Sequence, residues 1–132
     1  MRRVIETDLI YQNGFQLLKI KVQGTMTGAV VGAGMEALNV YEEYAAGVPV
    51  LWDLREADLS QYTTAEMEIT NQLLQHHPGR RNVKSASLVP DRGAMLLARL
   101  WEVYGVDRFP LQRRAFLKLE DAMEWLTSDA GA

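Results

Sequence analysis

The chain contains no cysteine, and that one absence removes disulfide cross-links, a thiol nucleophile and cysteine-based zinc or iron–sulfur sites together. Redox chemistry by the chain itself is excluded, and the composition suits a reducing, cytoplasmic setting. Long apolar runs are lacking as well. The opening stretch MRRVIETDLI has two arginines, but Glu6 and Asp8 break its apolar residues, so it reads as neither a signal peptide nor a membrane span. Histidine is scarce: His76 and His77, the two present, are adjacent, precede Pro78-Gly79 and have no spaced carboxylate, the pattern of a solvated helix end and not of a metal site. No G-x-S-x-G, P-loop, linker, low-complexity run or internal repeat occurs. Nor does one sign of charge dominate. A net charge of −3 argues against general nucleic-acid binding, although the first half is acidic and the region 80–118 is basic.

What is present is enough for one domain over residues 1–132, able to bury roughly two-thirds of its unfolded surface. RVIETDLIYQNGFQLLKIKV places Asn13-Gly14 between two strand-like runs, a pair suited to a tight turn with both central residues at positive φ, and hence a hairpin. Leu18, Ile20 and Val22 share one face of its second arm, while Lys19 and Lys21 point the other way. Beyond it, helices over 27–46, 64–77 and 92–104 alternate with the strands VPVLWDL, VKSASLV and QRRAFLKL. A last helix runs through Trp125. This order predicts an α/β fold: a mixed sheet of about five strands with about four helices packed on it.

The stretch VVGAGMEALNVYEEYAAGVPVLWDLR has the outline of a dinucleotide-binding turn: Gly-Ala-Gly, an apparent helix, then a strand ending in Asp53. That fingerprint requires a strand leading directly into Gly32, so that the helix starts there and aims its amides at a pyrophosphate. The residues before it, GTMTGAVV, make a poor central strand, whereas Thr27 is an acceptable N-cap. Read so, the helix runs through the glycines, with Val30, Ala33, Ala37, Val40, Tyr41 and Tyr44 on one face. Gly34 then allows close approach to the sheet, while Gly28 and Gly32 each cost about 1 kcal/mol of helix propensity against alanine. The alternative keeps Gly32, Gly34 and Asp53 as a nucleotide site.

The C-terminal stretches SASLVPDRGAMLLARLWEVYG and RRAFLKLEDAMEWL resemble the end of the SpoIIAA-like family, a branch of the STAS fold, in which a strand, a helix and a second strand lead into a closing helix. Ala122, Trp125 and Leu126 match its Ala-x-x-Trp-Leu ending. The upstream order is similar too: a hairpin, a helix after Gly24-Thr25-Met26-Thr27, and a strand ending in Asp53-Leu54. The resemblance implies a mixed sheet of four or five strands flanked by helices, and a role in regulation or ligand binding and not catalysis. In phospho-regulated STAS relatives the loop after the strand matching VPVLWDL carries a serine that accepts phosphate from a partner kinase. In READLSQYTTAEM the corresponding position is Thr64, although the Asp-Ser-x-Gly context is replaced by Thr63, Thr64, Ala65 and Glu66. By their own chemistry Thr63 and Glu66 form a capping box, and phosphate at the same helix start is electrostatically favoured.

Asp53 and Asp58 could share a cleft, but neither has a histidine or lysine partner for acid–base work. On the helix DRGAMLLARLWEVYG the apolar residues span roughly 220°, against the 100° or somewhat more that one buried face needs. Such a helix is buried on two sides, contacts another subunit or lines an apolar cavity, and Leu97, Trp101 and Tyr104 are its candidate contacts. Arg80, Arg81, Lys84, Arg92, Arg113 and Arg114 read as a solvated edge, or as a surface for an anionic head group or an acidic partner. Together these readings describe a non-enzymatic binding or regulatory module without cofactor or metal. It engages a protein partner, a second copy of itself or a small amphipathic ligand in a helix-lined groove. Peripheral membrane contact remains open to it.

Overall fold

The computed structural model describes residues 4–12, 14–104 and 111–128, apart from the side chains of Val4 and Tyr104. β1 (Val4–Gln12) and β2 (Phe15–Thr25) form the expected antiparallel hairpin, with Gln12 opposite Phe15 and Gly14 at a φ of 81°. Asn13, the other turn residue, lies outside the described residues. β3 (Val50–Asp58), β4 (Lys84–Leu88) and β5 (Gln112–Phe116) then add in parallel, giving one sheet in the order β1-β2-β3-β4-β5.

Strands laid down in one direction by right-handed crossovers put every connecting helix on the same side of the sheet. α1 (Gly28–Leu38), α3 (Thr64–Leu74) and α4 (Arg92–Tyr104) make these crossovers, with the short α2 (Glu42–Ala46) and a 3-10 turn at Pro78–Arg80 beside them. Leu18, Ile20, Val22, Val50, Trp52 and Leu54 face this helical layer. α5 (Leu119–Leu126) follows the last strand and folds onto the opposite face, against Leu17, Leu51, Ala86, Leu88 and Phe116. The mixed five-stranded α/β sheet is therefore as expected, with five α-helices among the described residues.

The elements differ from expectation in several places, beginning with their ends: α3 stops at Leu74 and not at His77, and β5 at Phe116. The helix expected over 27–46 is two, since Asn39 ends α1 and α2 starts after Tyr41. The break lets Tyr44 turn inward and become buried. In α1 the inward residues are Val31, Gly34, Met35 and Leu38 with Val30. Ala33 and Val40, expected on that face, are exposed. β3 runs past Leu54 into Arg55–Asp58. A register shift opposite Lys21 and Gln23 turns Glu56 toward Lys21 Nζ at 2.6 Å and Gln23 Nε2 at 2.9 Å, so a charged segment can finish a strand whose face is open.

Glycine brings α1 close to both neighbours. A Cβ on Gly34 would lie 2.7 Å from Ile20 Cδ1 and 2.8 Å from the Trp52 ring, and one on Gly28 would lie 2.8 Å from Ile69 Cβ and 2.9 Å from the Glu66 carbonyl oxygen. Replacing Gly28 with alanine sets a gain of about 1 kcal/mol in helix propensity against an overpacking cost of about 1–3 kcal/mol, here against backbone. Gly28→Ala is expected to lower the urea midpoint with unchanged slope, a net loss of about 1–2 kcal/mol. A midpoint equal to or above wild type would show that α1 does not press on α3 this tightly.

Candidate functional site

α4 begins where Asp91 Oδ1 accepts the Ala94 N–H at 2.8 Å, a side-chain N-cap. It then presents two apolar faces. Inward, Ala98 is buried, and Ala94, Met95, Leu97 and Trp101 pack half-buried on the core. Outward, Leu96, Leu100 and Val103 are 71%, 47% and 71% exposed. Their spacing of four and three residues lines them up along the helix, and Arg92 and Arg99, both exposed, stand on the same side. Leu97 and Trp101 thus belong to the inner face, and the outer stripe is made by residues that the wide apolar arc did not separate from them. The side chain of Tyr104 lies outside the described residues. Glu102 ties α4 to the sheet, its Oε1 accepting the Ala115 N–H at 2.7 Å.

Packing under α4 is incomplete. An apolar hollow of about 20 Å³ is lined by Met26, Trp52, Leu59, Tyr62, Leu97 and Trp101 among others. A second, of about 30 Å³, touches Tyr44, Thr70, Arg80, Ser85, Trp101 and Leu111. Val31, Trp52 and Trp101 border both. Polar groups reach this region from α3 and β5. The Tyr62 hydroxyl and Thr70 Oγ1 are 2.6 Å apart, and the Tyr62 ring meets Trp101 edge-on at 6.0 Å. Burial pushes the Tyr62 pKa far up, against Thr70 and the charge of Arg113, so the hydroxyl keeps its proton. Arg113 Nη2 donates to Asn71 Oδ1 at 3.2 Å. Arg80 Nη1 donates to the Tyr44 carbonyl at 2.8 Å, and its guanidinium sits 4.5 Å from the Tyr44 ring centre. Burial lowers the pKa of each arginine to about 10, so both remain cations at neutral pH.

The basic residues accordingly form neither one solvated edge nor one anion-binding surface. Arg80 and Arg113 turn into the helical layer, and Lys84 is buried under α5, donating to the Trp125 and Ser128 carbonyls. Arg81, Arg92 and Arg114 are exposed. Asn71 is the residue here that sequence reasoning missed, and Arg113 is one that it placed on a surface. Both were in phase with their core neighbours: Asn71 with Met67, Thr70 and Leu74 on α3, and Arg113 with Ala115 on β5.

The other candidates lie elsewhere. Asp53 is mid-strand, between Lys21 and Leu88 in the pairing, and faces the α5 side of the sheet. Gly32 and Gly34 are interior to α1 on the other side. The amides at the start of α1 are already engaged, since Gly28 N donates to Glu66 Oε1 at 2.7 Å and Val30 N to Thr27 Oγ1 at 3.2 Å. The alternative nucleotide site of Gly32, Gly34 and Asp53 is therefore not formed: its glycines are packing contacts and its acid is across the sheet. Glu66 likewise does not close a capping box with Thr63, whose side chain makes no cap bond; it spans to α1 instead. Thr64 is the exposed first residue of α3. Asp58, at the end of β3, accepts the Ser60 N–H at 2.9 Å and shares no contact with Asp53.

This architecture is the SpoIIAA-like, STAS-type fold. Across 96% of this chain and 96% of the other, it superposes with a TM-score of 0.67 and 19% identity on an uncharacterized protein of the DUF3478 family with a SpoIIAA-like fold from Shewanella loihica PV-4. An anti-sigma factor antagonist from Mycobacterium paratuberculosis matches with a TM-score of 0.52 and 16% identity, over 95% of this chain and 96% of that one. No family model and no curated protein matches the chain.

Asp53 shows what the open face demands of a buried charge. Burial raises its pKa, but Arg55, donating from Nε at 3.0 Å, Nη2 at 2.9 Å and the backbone N at 3.2 Å, outweighs that effect with help from Lys19 at 3.9 Å. The carboxyl is held below its ordinary value. A lowered native pKa stabilises the fold above the unfolded pKa, and the contribution disappears as pH falls through the native one. Arg55→Leu is expected to lose about 1–2 kcal/mol at neutral pH, with the difference from wild type closing in acid, once the pH has fallen through the lowered native pKa and Asp53 is protonated in both proteins. Urea melts at the two pH values decide it, and an equal loss at both would assign Arg55 a packing role alone.

Proposed function

We propose that the protein is a non-catalytic regulatory binding module of the cytoplasm that engages a protein partner through the outer face of α4. The observation carrying this reading is the stripe of Leu96, Leu100 and Val103, left exposed on a helix whose opposite face is already packed. Isolated exposed apolar residues are ordinary, but three aligned on one helix mark a contact surface. Arg92 and Arg99 beside them give the partner its chemistry, an amphipathic segment carrying carboxylates. The likeness in fold to an anti-sigma factor antagonist supports a protein as the partner. No described helix is long and apolar enough to cross a membrane.

Thr64 is the switch position in this reading. It is exposed at the first turn of α3, where a phosphate would meet backbone N–H groups that no Thr63 side-chain bond occupies. A second reading, a small amphipathic ligand held between α4 and the sheet, is favoured by the apolar hollow against Leu97 and Trp101.

A photo-crosslinking residue at position 100, compared with one at Tyr11, which is 69% exposed and so more accessible than Leu100, tests the docking face in the native cell. The expected result is a discrete adduct with another protein from position 100, lost in Leu96→Asp and Val103→Asp, each of which changes stability by no more than about 0.5 kcal/mol. An adduct with a second copy alone would make the face a homodimer contact, and adducts equal to those from position 11 would end the proposal. Mass spectrometry of the same material is expected to find phosphate on Thr64. Stoichiometric phosphate at another residue would remove Thr64 from the reading.

A further inference from the structure

The rim of the sheet at β5 carries an open cleft walled by both helical layers. α4 and α5 pack on opposite faces, so one hollow can touch both only beyond a terminal strand, and β5 is that strand. Met95 and Arg99 of α4, the chain over 114–118 and Trp125 of α5 border a space of about 750 Å³. Part of its lining is apolar: Leu117 is 43% exposed, and the rings of Phe116 and Trp125 meet with centres 5.7 Å apart. The charges around it are sorted by element. Arg99, Arg114 and Lys118 come from α4, β5 and the turn after it, Asp121 and Glu124 come from α5, and all five are exposed. Among the described residues, no two of these five lie within ion-pair distance of one another.

Shape and continuity favour a polypeptide here over a small molecule. A small-molecule pocket encloses most of its occupant, whereas this cleft is open along one side. Arg99 also stands on the outer face of α4 beside Leu96, Leu100 and Val103, so the stripe and the cleft are one surface bending round the rim of the sheet. We propose that the protein partner docked on the outer face of α4 continues round this rim and lays a segment of its chain in the cleft, with apolar side chains on Met95, Leu117 and Trp125 and carboxylates against Arg99, Arg114 and Lys118. This rests on the docking face proposed for α4 and adds to it a second contact and the character of the segment that fills it. Three cations against two carboxylates leave the cleft net positive, and Asp121 and Glu124 turn the acidic side chains of the occupant away from α5 and toward the opposite wall. Exposed charges of this kind select and orient a partner more than they tighten it.

The experiment places the photo-crosslinking residue at 117, in the cleft, and separately at 100, on α4, in the full chain in its native cell, with position 11 as the comparison. One protein is expected from both positions, and the peptide joined at 117 is expected to carry aspartate or glutamate beside apolar residues. Arg114→Gln with Lys118→Gln is expected to cut the yield at 117 at least about threefold and the yield at 100 by less, whereas Asp121→Asn with Glu124→Gln leaves the yield at 117 unchanged or raises it. The four substituted side chains are exposed, and unchanged urea midpoints verify that the fold is kept. Capture at 100 with only the position-11 level at 117 would overturn the cleft and leave the α4 face standing. Capture at 117 alone, or there of a different protein or a second copy, would overturn the continuous surface, and no capture at either position would remove both readings. A link from 117 to residues 129–132 of the same chain would make those residues the occupant and overturn the partner segment. A joined peptide without carboxylates, or a yield lowered by the α5 pair and not by the cationic pair, would overturn the assigned chemistry.

Discussion

The helical face depends on how closely α1 approaches α3. Cβ atoms on Gly28 and Gly32 would fall 2.8 Å from Ile69 and from Leu73 Cδ1, so α3 occupies space that only glycine leaves free. Glu66 then reaches across and takes the Gly28 amide at 2.7 Å, placing a carboxylate at the positive end of the α1 dipole. With its first turn held there, α3 turns Met67, Thr70, Asn71 and Leu74 inward. Thr70 receives Tyr62 and Asn71 receives Arg113. The placement of these two polar contacts therefore depends on glycines of a different helix. The helix-propensity penalty at Gly28 and Gly32 is the counterpart of that placement.

Charge is met by carboxylates mainly on one side of the sheet. On the α5 side Asp53 is buried but enclosed by Arg55 and Lys19, and Lys21 has Glu56. Lys84, buried on the same side, is held instead by the Trp125 and Ser128 carbonyls. On the helical side Arg80 and Arg113 are cations whose polar contacts are neutral oxygens. Arginine thus pairs with a carboxylate at Arg55 and with carbonyl oxygens at Arg80 and Arg113.

Much of this was legible in the sequence because it follows from short-range periodicity. Alternation at Leu18, Ile20 and Val22 against Lys19 and Lys21 predicted the β2 faces, and the Asn-Gly pair predicted the hairpin. The excess apolar arc on α4 correctly pointed to a helix with two apolar sides. Contacts between distant segments were not legible. Thr63 and Glu66 have capping-box spacing, yet the partner of Glu66 is 38 residues away, and a local rule has no means of weighing it. Arg113 was read as part of a basic surface because its polarity argued for solvent, while its phase with Ala115 placed it inside; Asn71, in phase with Met67 and Leu74, drew no reading. The division at Asn39 was missed because the apolar residues on either side can be placed on a single continuous helix wheel.

The bond from Glu102 to the Ala115 amide has a consequence for solubility. β5 ends the sheet, and the outer edge of a terminal strand is where one molecule can add to another as in a growing fibril. Here a carboxylate from α4 occupies a donor on that edge and sets a negative charge beside it. The helix we propose as a contact surface is also the guard of the strand beneath it. Any rearrangement that lifts α4 from the sheet would uncover a template for self-association, so selection for a sticky outer face is bounded by the need to keep this helix seated.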